Sequence, residues 1–178
     1  KVTIASNLEG HPDNAAPAIL GDFVVATKIN DSVFAMKHVF PDTGIIAVIP
    51  NHELLTTESR DVLPKELSYS QAVQASSISN VMISAVLAHD LKLAGEMMEN
   101  DLWHETYRKD LVPHLPEIRS LAKKNGAYAT FLSGAGSTVL VLVPHSRLEK
   151  LKQLLTETFV DATVQQFNVE REGLRVQN

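Results

Sequence analysis

Residues 128–143 read YATFLSGAGSTVLVLV, and this pattern predicts two neighbouring strands joined by a glycine-rich turn. The run at 139–143 is continuously apolar and bounded by turn residues, which is typical of a strand buried on both faces. Gly134 and Gly136 permit positive φ angles and close backbone approach, so successive N–H groups can converge on an anion or on neighbouring backbone. We therefore predict a strand pair with residues 133–137 at its tip.

Outward from this pair, the sequence predicts further strands at 44–50 (GIIAVIP) and 163–169. Between these strands, apolar residues recur at helical spacing. The predicted helices are 56–62, a long one at 68–91 that opens on the capping box Ser68–Gln71, then 93–98, 103–111, 115–124 and 146–159, the last with a second capping box at Ser146–Glu149. From residue 44 the order is strand, helices, two strands, helix, strand. This is the order of the ferredoxin-like split βαβ, an α+β fold.

The chain before residue 44 has a different organisation. Residues 23–26 and 32–36 read as two short strands around the turn residues Asn30-Asp31, and we predict a hairpin. The turn signal PDTG at 41–44 follows. We place a domain boundary there, between residues 1–40 and residues 41–178.

The densest polar cluster lies in residues 9–21, EGHPDNAAPAILG. Asn14 is a good helix cap, and Pro17 fits the first turn of a helix, where its missing N–H would be unsatisfied anyway. We therefore predict a helix from about Ala15 to Leu20. His11, Asp13 and Asn14 would then lie together at its positive N-terminal end, which suits a polar ligand that carries negative charge.

Composition excludes several classes of function. The net charge is −5 and no block of lysine and arginine is present, which argues against a nucleic-acid partner. There is no cysteine, so disulfides and thiolate metal sites are excluded, and the remaining histidines show no metal-ligand spacing. No apolar run approaches the length of a membrane span. The first residues resemble no signal peptide and lack an initiator methionine, so we expect a chain that begins within a longer, cytoplasmic protein.

The segment at 9–21 closely resembles the signature of homoserine kinases, a branch of the GHMP small-molecule kinases. GAGST at 134–138, between a strand and the run VLVLVP, is similar to the C-terminal glycine motif of the same family. The likeness covers essentially the whole chain. It implies that residues 1–40 are the end of the family's N-terminal domain, which is ribosomal S5 domain 2-like, and that residues 41–178 are its C-terminal ferredoxin-like domain with extra helices.

The resemblance also implies an activity for the intact protein. That activity is the ATP-dependent phosphorylation of the side-chain hydroxyl of L-homoserine to O-phospho-L-homoserine, in threonine biosynthesis. The family's phosphate-binding loop and its acidic Mg²⁺ ligand lie upstream of the matching region, so this fragment alone is expected to be inactive and to hold no metal. The expected partners are L-homoserine and ATP, without nucleic acid or membrane; a homodimer is left open.

Site residues follow from the same resemblance. Arg60 and Arg108 match positions that hold the amino-acid carboxylate, and a guanidinium fork suits that role because it pairs bidentately with a carboxylate. Asp13 and Asn14 would orient the attacking hydroxyl as the catalytic pair, and His11 would line the same pocket. The active-site glycine turn would be Ser133, Gly134, Ala135, Gly136 and Ser137. An aspartate with the ordinary pKa of about 3.9 is a weak base toward an alcohol, so we favour orientation by Asp13 over proton removal.

Two alternatives remain at this point. Another GHMP kinase, acting on mevalonate or a sugar, would share the glycine turn. A non-catalytic amino-acid-binding module is the alternative from a different class, because ferredoxin-like domains also sense amino acids and no motif for ATP is visible in this chain.

Overall fold

The computed structural model describes residues 1–52 and 54–176. The chain divides into two compact units, one formed by residues 1–41 with 168–176 and the other by residues 42–167. The first unit contains helices α1 (Val2–Glu9) and α2 (Pro12–Leu20) and strands β1 (Phe23–Ile29) and β2 (Ser32–His38). The two strands pair antiparallel from Phe23↔His38 to Ile29↔Ser32, which confirms the predicted hairpin.

The helix in the polar segment begins earlier than predicted. It starts at Pro12, after His11 in extended conformation with φ −145°. The expected start near Ala15 is therefore wrong, because Pro12 occupies the first helical position, where a missing N–H costs nothing. Asp13 and Asn14 consequently lie in the first turn, and Pro17 lies inside the helix. Helix α1 was not predicted, and its first residue has no side-chain cap to mark it.

Within the first unit, a buried carboxylate holds residues 168–176 to the earlier part of the chain. Asp22 Oδ1 accepts hydrogen bonds from the Phe40 N–H (2.7 Å) and from Arg171 Nη1 (2.6 Å). Lys37 Nζ donates to the carbonyl oxygen of Arg171 at 2.6 Å. The sequence-based boundary assigned this tail to the second domain, whose last two residues lie outside the described part of the chain. The correspondence between these compact units and the family's domains stays a prediction.

The second unit is built on a four-stranded antiparallel sheet. Its strands are β3 (Gly44–Pro50), β4 (Ala129–Leu132), β5 (Val139–Val143) and β6 (Ala162–Phe167), in the spatial order β4-β5-β3-β6. All three strand pairs are antiparallel. The two strands joined by each β-helix-β connection are therefore separated by one other strand of the sheet, which is the split βαβ arrangement. The predicted α+β fold is confirmed.

The helices of this unit follow the predicted order. They are α3 (Thr56–Asp61), α4 (Tyr69–Leu87), α5 (Leu91–Glu99), α6 (Glu105–Arg108) with a 3-10 turn at Lys109–Leu111, α7 (Leu115–Lys124) and α8 (His145–Thr158). The capping box at Ser68 is confirmed. Helix α4 ends before residue 91 because His89 adopts φ 60° and Asp90 caps the next helix. The second predicted capping box is wrong, since α8 already begins at His145.

The core of the second unit lies between the sheet and helices α7 and α8. Its buried members are Ile46, Val48, Val112, Leu115, Ile118, Ala122, Val139, Val141, Val143, Leu148, Leu151 and Leu155. Full burial of each large aliphatic side chain contributes about 1.5–3 kcal/mol. The central strands are therefore firmly fixed, and so is the point where the glycine turn leaves them. Among the helices described, none combines the length and apolarity that crossing a lipid bilayer requires.

The Asp22 carboxylate makes the stability of the first unit dependent on pH. Burial opposes its charge, but the Phe40 N–H and Arg171 outweigh that effect and lower the pKa of Asp22. A depressed native pKa contributes stability above the ordinary value of about 3.9, and this contribution is lost as the pH falls through the native value. We expect Asp22→Asn to destabilise the first unit by about 2 kcal/mol at pH 7, because it weakens charged hydrogen bonds.

The measurement is hydrogen exchange of residues 168–176 in both proteins at pH 7 and near pH 3. Exchange should differ strongly at pH 7 and converge in acid. Asp31→Asn in the exposed hairpin turn is the control. A difference that persists unchanged at low pH would contradict the assignment to Asp22.

Candidate functional site

The first group of predicted site residues lies at the N-terminal end of α2. His11 Nδ1 donates to Asp13 Oδ1 at 2.9 Å, and the same oxygen accepts from the Asn14 N–H at 3.1 Å. The side chains remain open to solvent, with 52% of His11 and 69% of Asp13 exposed. The structure thus places the three residues together at the start of the helix, with Asp13 oriented by the His11 ring and the Asn14 backbone.

The charge on Asp13 is stabilised in this arrangement. Partial burial acts to raise its pKa, but the hydrogen bond and charge of His11 and the Asn14 N–H act in the opposite direction, and the net pKa of Asp13 is lowered. Its place in the first turn of a helix also favours a negative charge. Asp13 is therefore an ionised hydrogen-bond acceptor at neutral pH.

The glycine turn between β4 and β5 forms the centre of the second group. Three of its carbonyl oxygens accept from side chains of other elements: Gly134 from Arg108 Nη1 (3.3 Å), Ala135 from Ser59 Oγ (2.9 Å) and Ser137 from His114 Nε2 (3.0 Å). Burial lowers the pKa of His114, which favours the neutral ring as donor. Because a separate element holds each carbonyl, the turn has a fixed shape although two of its residues are glycines at positive φ.

Arg108 connects this turn to helix α3. Its Nε donates to the carbonyl oxygen of Ser59 at 3.0 Å, and only 9% of the residue is exposed. Burial lowers the pKa of Arg108; the negative charge of Asp101 acts against this, and the positive charge of Arg60 adds to it. Arg60 follows Ser59 directly in the chain, so the two predicted arginines belong to segments that are in contact. Arg60 itself is exposed.

Among the described residues, neither guanidinium group forms an ion pair with a carboxylate. Within residues 1–52 and 54–176, the ion pairs formed by arginine involve Arg119, Arg171 and Arg175. Arg108 is held by neutral carbonyl oxygens instead, so its charge is solvated but not cancelled. A pair of arginines in this state is suited to a planar anion, above all a carboxylate.

A cleft of about 350 Å³ opens beside the glycine turn. It is lined by Ile49, Pro50, Asn51, His52, Leu54, Gly136, Ser137 and Thr138. The turn thus forms one wall of a concave surface in the second unit. In the described part of the chain, no three histidine, aspartate or glutamate side chains are grouped so that they could hold a metal ion.

The predicted site residues fall into two sets. Arg60, Arg108 and the turn at 133–137 are brought together within the second unit, whereas His11, Asp13 and Asn14 belong to the first. The roles of all these residues, and the predicted meeting of the two sets in one pocket, stay predictions.

Sequence analysis missed the side chains that support the site. Ser59 and Glu105 are buried polar residues, with 0% and 8% of their surface exposed, and His114 is half-buried. Their partners lie far away in sequence: Ser59 bonds to a residue 76 positions later, and Glu105 to one 27 positions later. No local pattern distinguishes such residues from solvated surface groups.

Comparison with known proteins relates the chain to a family. A profile for GHMP kinases C terminal matches residues 82–161. A homoserine kinase of Enterococcus faecalis is 56% identical over 176 residues, which cover 99% of this chain and 61% of the relative. A homoserine kinase of Streptococcus sanguinis is 49% identical over 177 residues, covering 99% and 62%. The chain therefore spans about three-fifths of the length of these curated relatives.

Solved structures give the same relationship. A Listeria monocytogenes structure that bears the name homoserine kinase matches with a TM-score of 0.85 and 49% identity, over 97% of this chain and 58% of that one. A homoserine kinase from Cytophaga hutchinsonii matches with a TM-score of 0.80 and 26% identity, over 92% and 53%. A mevalonate kinase, at a TM-score of 0.65 and 17% identity over 96% and 55%, shares the fold.

The hydroxyl of Ser59 tests how the glycine turn is held. Ser59→Ala should leave the carbonyl of Ala135 without its donor and destabilise the protein by about 1–2 kcal/mol. Hydrogen exchange of the Ser133 and Gly136 amides, which bond within the turn, should accelerate. Ser77→Ala is the matched control, because its hydroxyl donates to a carbonyl on the exposed face of α4. Unchanged exchange in the turn would show that Ser59 does not hold it.

Proposed function

This chain carries the C-terminal domain of the GHMP kinases, and from that premise we propose that its parent protein phosphorylates the side-chain hydroxyl of L-homoserine with ATP, as a step of threonine biosynthesis. The observation that carries the proposal is the Arg60–Arg108 pair beside the glycine turn, which lacks a carboxylate partner in the described residues. Homoserine kinases that are 49–56% identical over 99% of this chain support the same substrate.

On this proposal, the two arginines grip the carboxylate of L-homoserine. Arg108 is already fixed by Ser59 O and Gly134 O, so little side-chain freedom is lost when it binds. Arg60 is exposed and adds a second fork from helix α3. A carboxylate between the two would also relieve the repulsion between their charges. The arginine pair thus fixes one end of the substrate, which leaves the hydroxyl at the other end to be directed.

Asp13 and Asn14 direct the hydroxyl in this scheme. The lowered pKa of Asp13 keeps the carboxylate ionised, so that it can accept a hydrogen bond, and makes it a poor proton acceptor, which supports orientation of the attacking oxygen. His11 keeps the Asp13 carboxylate in position through its Nδ1–H. Phosphoryl transfer depends mainly on positioning and on charge stabilisation, so oriented groups of this kind are sufficient from this part of the protein.

ATP is the proposed phosphoryl donor, and Mg²⁺ would offset the negative charge of its phosphates. No three histidine, aspartate or glutamate side chains are grouped within the described residues so that they could hold a metal ion. The steps assigned to this chain involve its own side chains alone. We propose that the phosphate-binding loop and the metal ligands lie in a part of the parent protein that corresponds to the unmatched two-fifths of its curated relatives, and that the enzyme acts in the cytoplasm.

A substrate panel tests the proposed function. The full-length protein is assayed for ATP consumption with L-homoserine, mevalonate and a hexose, and calorimetry measures threonine binding. Turnover of L-homoserine with a kcat/KM at least about a hundredfold above the other acceptors supports the proposal. Preference for mevalonate or the sugar would assign the chain to another GHMP kinase. Binding of threonine without turnover of any acceptor would indicate an amino-acid-binding module.

The arginine clamp predicts selective losses of substrate affinity. In the full-length protein, Arg108→Ala should raise the KM for L-homoserine by the equivalent of about 2–5 kcal/mol, because a buried charge pair with the substrate is lost. Arg60→Ala should have a smaller effect, since solvent screens an exposed arginine. Steady-state kinetics at varied homoserine measures both effects. Arg147→Ala, an exposed arginine on α8, is the control, and an unchanged KM in both site variants would refute the clamp.

The orienting role of Asp13 predicts the opposite kinetic pattern. Asp13→Asn keeps the shape of the side chain but removes its charge, so the hydroxyl is held less well in the transition state. We expect kcat to fall about ten- to a hundredfold while the KM for L-homoserine changes less than about threefold. The control is Asp31→Asn in the exposed hairpin turn. A wild-type kcat in Asp13→Asn would eliminate this role.

A further inference from the structure

The short helix α6 contacts the last residue of β4 at one of its ends and the glycine turn at the other. At its first residue, Glu105 Oε2 accepts from the Leu132 N–H at 3.3 Å. At its last residue, Arg108 Nη1 donates to the Gly134 carbonyl at 3.3 Å. Leu132 and Gly134 flank Ser133, the first residue of the turn. One helical turn therefore fixes the start of the glycine turn from both sides, and it carries the buried arginine of the site.

The contact at Glu105 is fixed in turn by a charged network. Its Oε1 accepts from Arg119 Nη2 at 2.5 Å. The same guanidinium donates to the Thr130 carbonyl through Nε (3.0 Å) and Nη2 (2.7 Å). Glu99 Oε1 accepts from the Thr130 N–H at 2.9 Å. These groups occupy the outward-facing edge of β4, the strand that leads into the turn.

The carboxylate of Asp101 completes the support of α6. It accepts from the backbone N–H groups of His104 (2.7 Å) and Glu105 (2.6 Å) just before the helix begins. Its negative charge also favours the protonated form of Arg108. The position of Arg108 is thus set by α6, and the position of α6 depends on how Glu105 and Asp101 hold its first residues.

A network of this kind is a poor device for stability alone. Two buried charges gain little over well-packed apolar side chains, because their desolvation offsets most of their attraction. Glu105 is 8% exposed, and Arg119 is about a quarter exposed. The hydrogen bonds of this network are directional, however. They fix the distance between α6 and the end of β4 more sharply than apolar packing would.

We propose that Glu105 is a positioning residue for substrate binding, which sets the guanidinium of Arg108 against the glycine turn by holding α6 to Leu132 and Arg119. The inference deepens the proposed function and rests on it, because the ligand that Arg108 meets is the carboxylate of L-homoserine. Glu105 itself does not touch the substrate in this scheme.

The test is Glu105→Gln in the full-length protein. Glutamine keeps the size of the side chain and an oxygen for the Leu132 N–H, but it loses the charge that holds Arg119. The KM for L-homoserine should rise about tenfold, since small displacements of a binding group have large effects, while kcat and the KM for ATP change less than about twofold. Hydrogen exchange at residues 133–138 should accelerate. Glu105→Asp, which retains the charge, should recover part of the homoserine affinity.

Glu99→Gln is the matched control. Glu99 lies near the same Arg119, 3.8 Å from its Nε, and on the same strand edge, but its recorded polar contacts in the described residues are with Thr130 and Arg119 and not with α6. Its KM for L-homoserine should stay within about twofold of the wild-type value. If Glu99→Gln and Glu105→Gln raise the KM equally, the effect is general loosening of the strand edge, and the proposal is overturned.

The remaining outcomes separate this inference from the proposed function. A wild-type protein without activity on L-homoserine refutes the proposed function, while exchange at residues 133–138 still reports whether Glu105 holds the turn. An unchanged homoserine KM in folded Glu105→Gln refutes the positioning role, whatever the exchange data show. Should Glu105→Gln fail to fold, Glu105→Asp carries the test, and a wild-type KM in that variant with normal exchange counts against the proposal.

Discussion

A buried arginine that is solvated by backbone carbonyls, and paired with no carboxylate in the described residues, is the constraint on which the second unit's site depends. Removing a guanidinium from water is costly unless its donors find acceptors. Ser59 O and Gly134 O supply acceptors without cancelling the charge. A carboxylate in their place would have satisfied the guanidinium and also closed it to an anionic ligand. Because neutral carbonyl oxygens hold it, the Arg108 guanidinium is fixed in position and its positive charge can still bind an anion.

The need of buried polar groups for hydrogen-bond partners also explains the charged edge of β4. An edge strand exposes unpaired N–H and C=O groups that invite another strand, and proteins block such edges with charges. Glu99, Glu105 and Arg119 satisfy these groups at Thr130 and Leu132. The blocking residues also connect the strand to α5, α6 and α7, which end or begin beside the site. Protection of the edge and support of Arg108 are therefore performed by one set of side chains.

The features that sequence analysis predicted are those with local causes. The strands at 44–50 and 139–143 are continuous apolar runs, and their order along the chain was enough to predict the split βαβ sheet. The start of α2 was placed wrongly because Pro12 and Asn14 are both compatible with a helix end, and backbone geometry at His11 decided between them. The hydrogen bond from Arg108 to Ser59 spans 49 residues, so nothing near either residue could have predicted it. Arg60 and Arg108 were selected through family resemblance, which supplied the long-range information that local patterns lack.

The chemistry of the proposed substrate agrees with a division of labour between the two groups of residues. L-homoserine presents a carboxylate, an ammonium group and a neutral hydroxyl. On the proposed function, the arginine pair would attract the carboxylate and repel the ammonium, so it would bind the amino acid only with the ammonium turned away from it or neutralised by an acidic group. Asp13 is ionised and already accepts hydrogen bonds from His11 and Asn14. Its carboxylate has lone pairs left for one further donor, and a hydroxyl can supply it. In the proposed function, the arginines would therefore take the carboxylate, and Asp13 would accept a hydrogen bond from the hydroxyl once another acidic group has neutralised the ammonium.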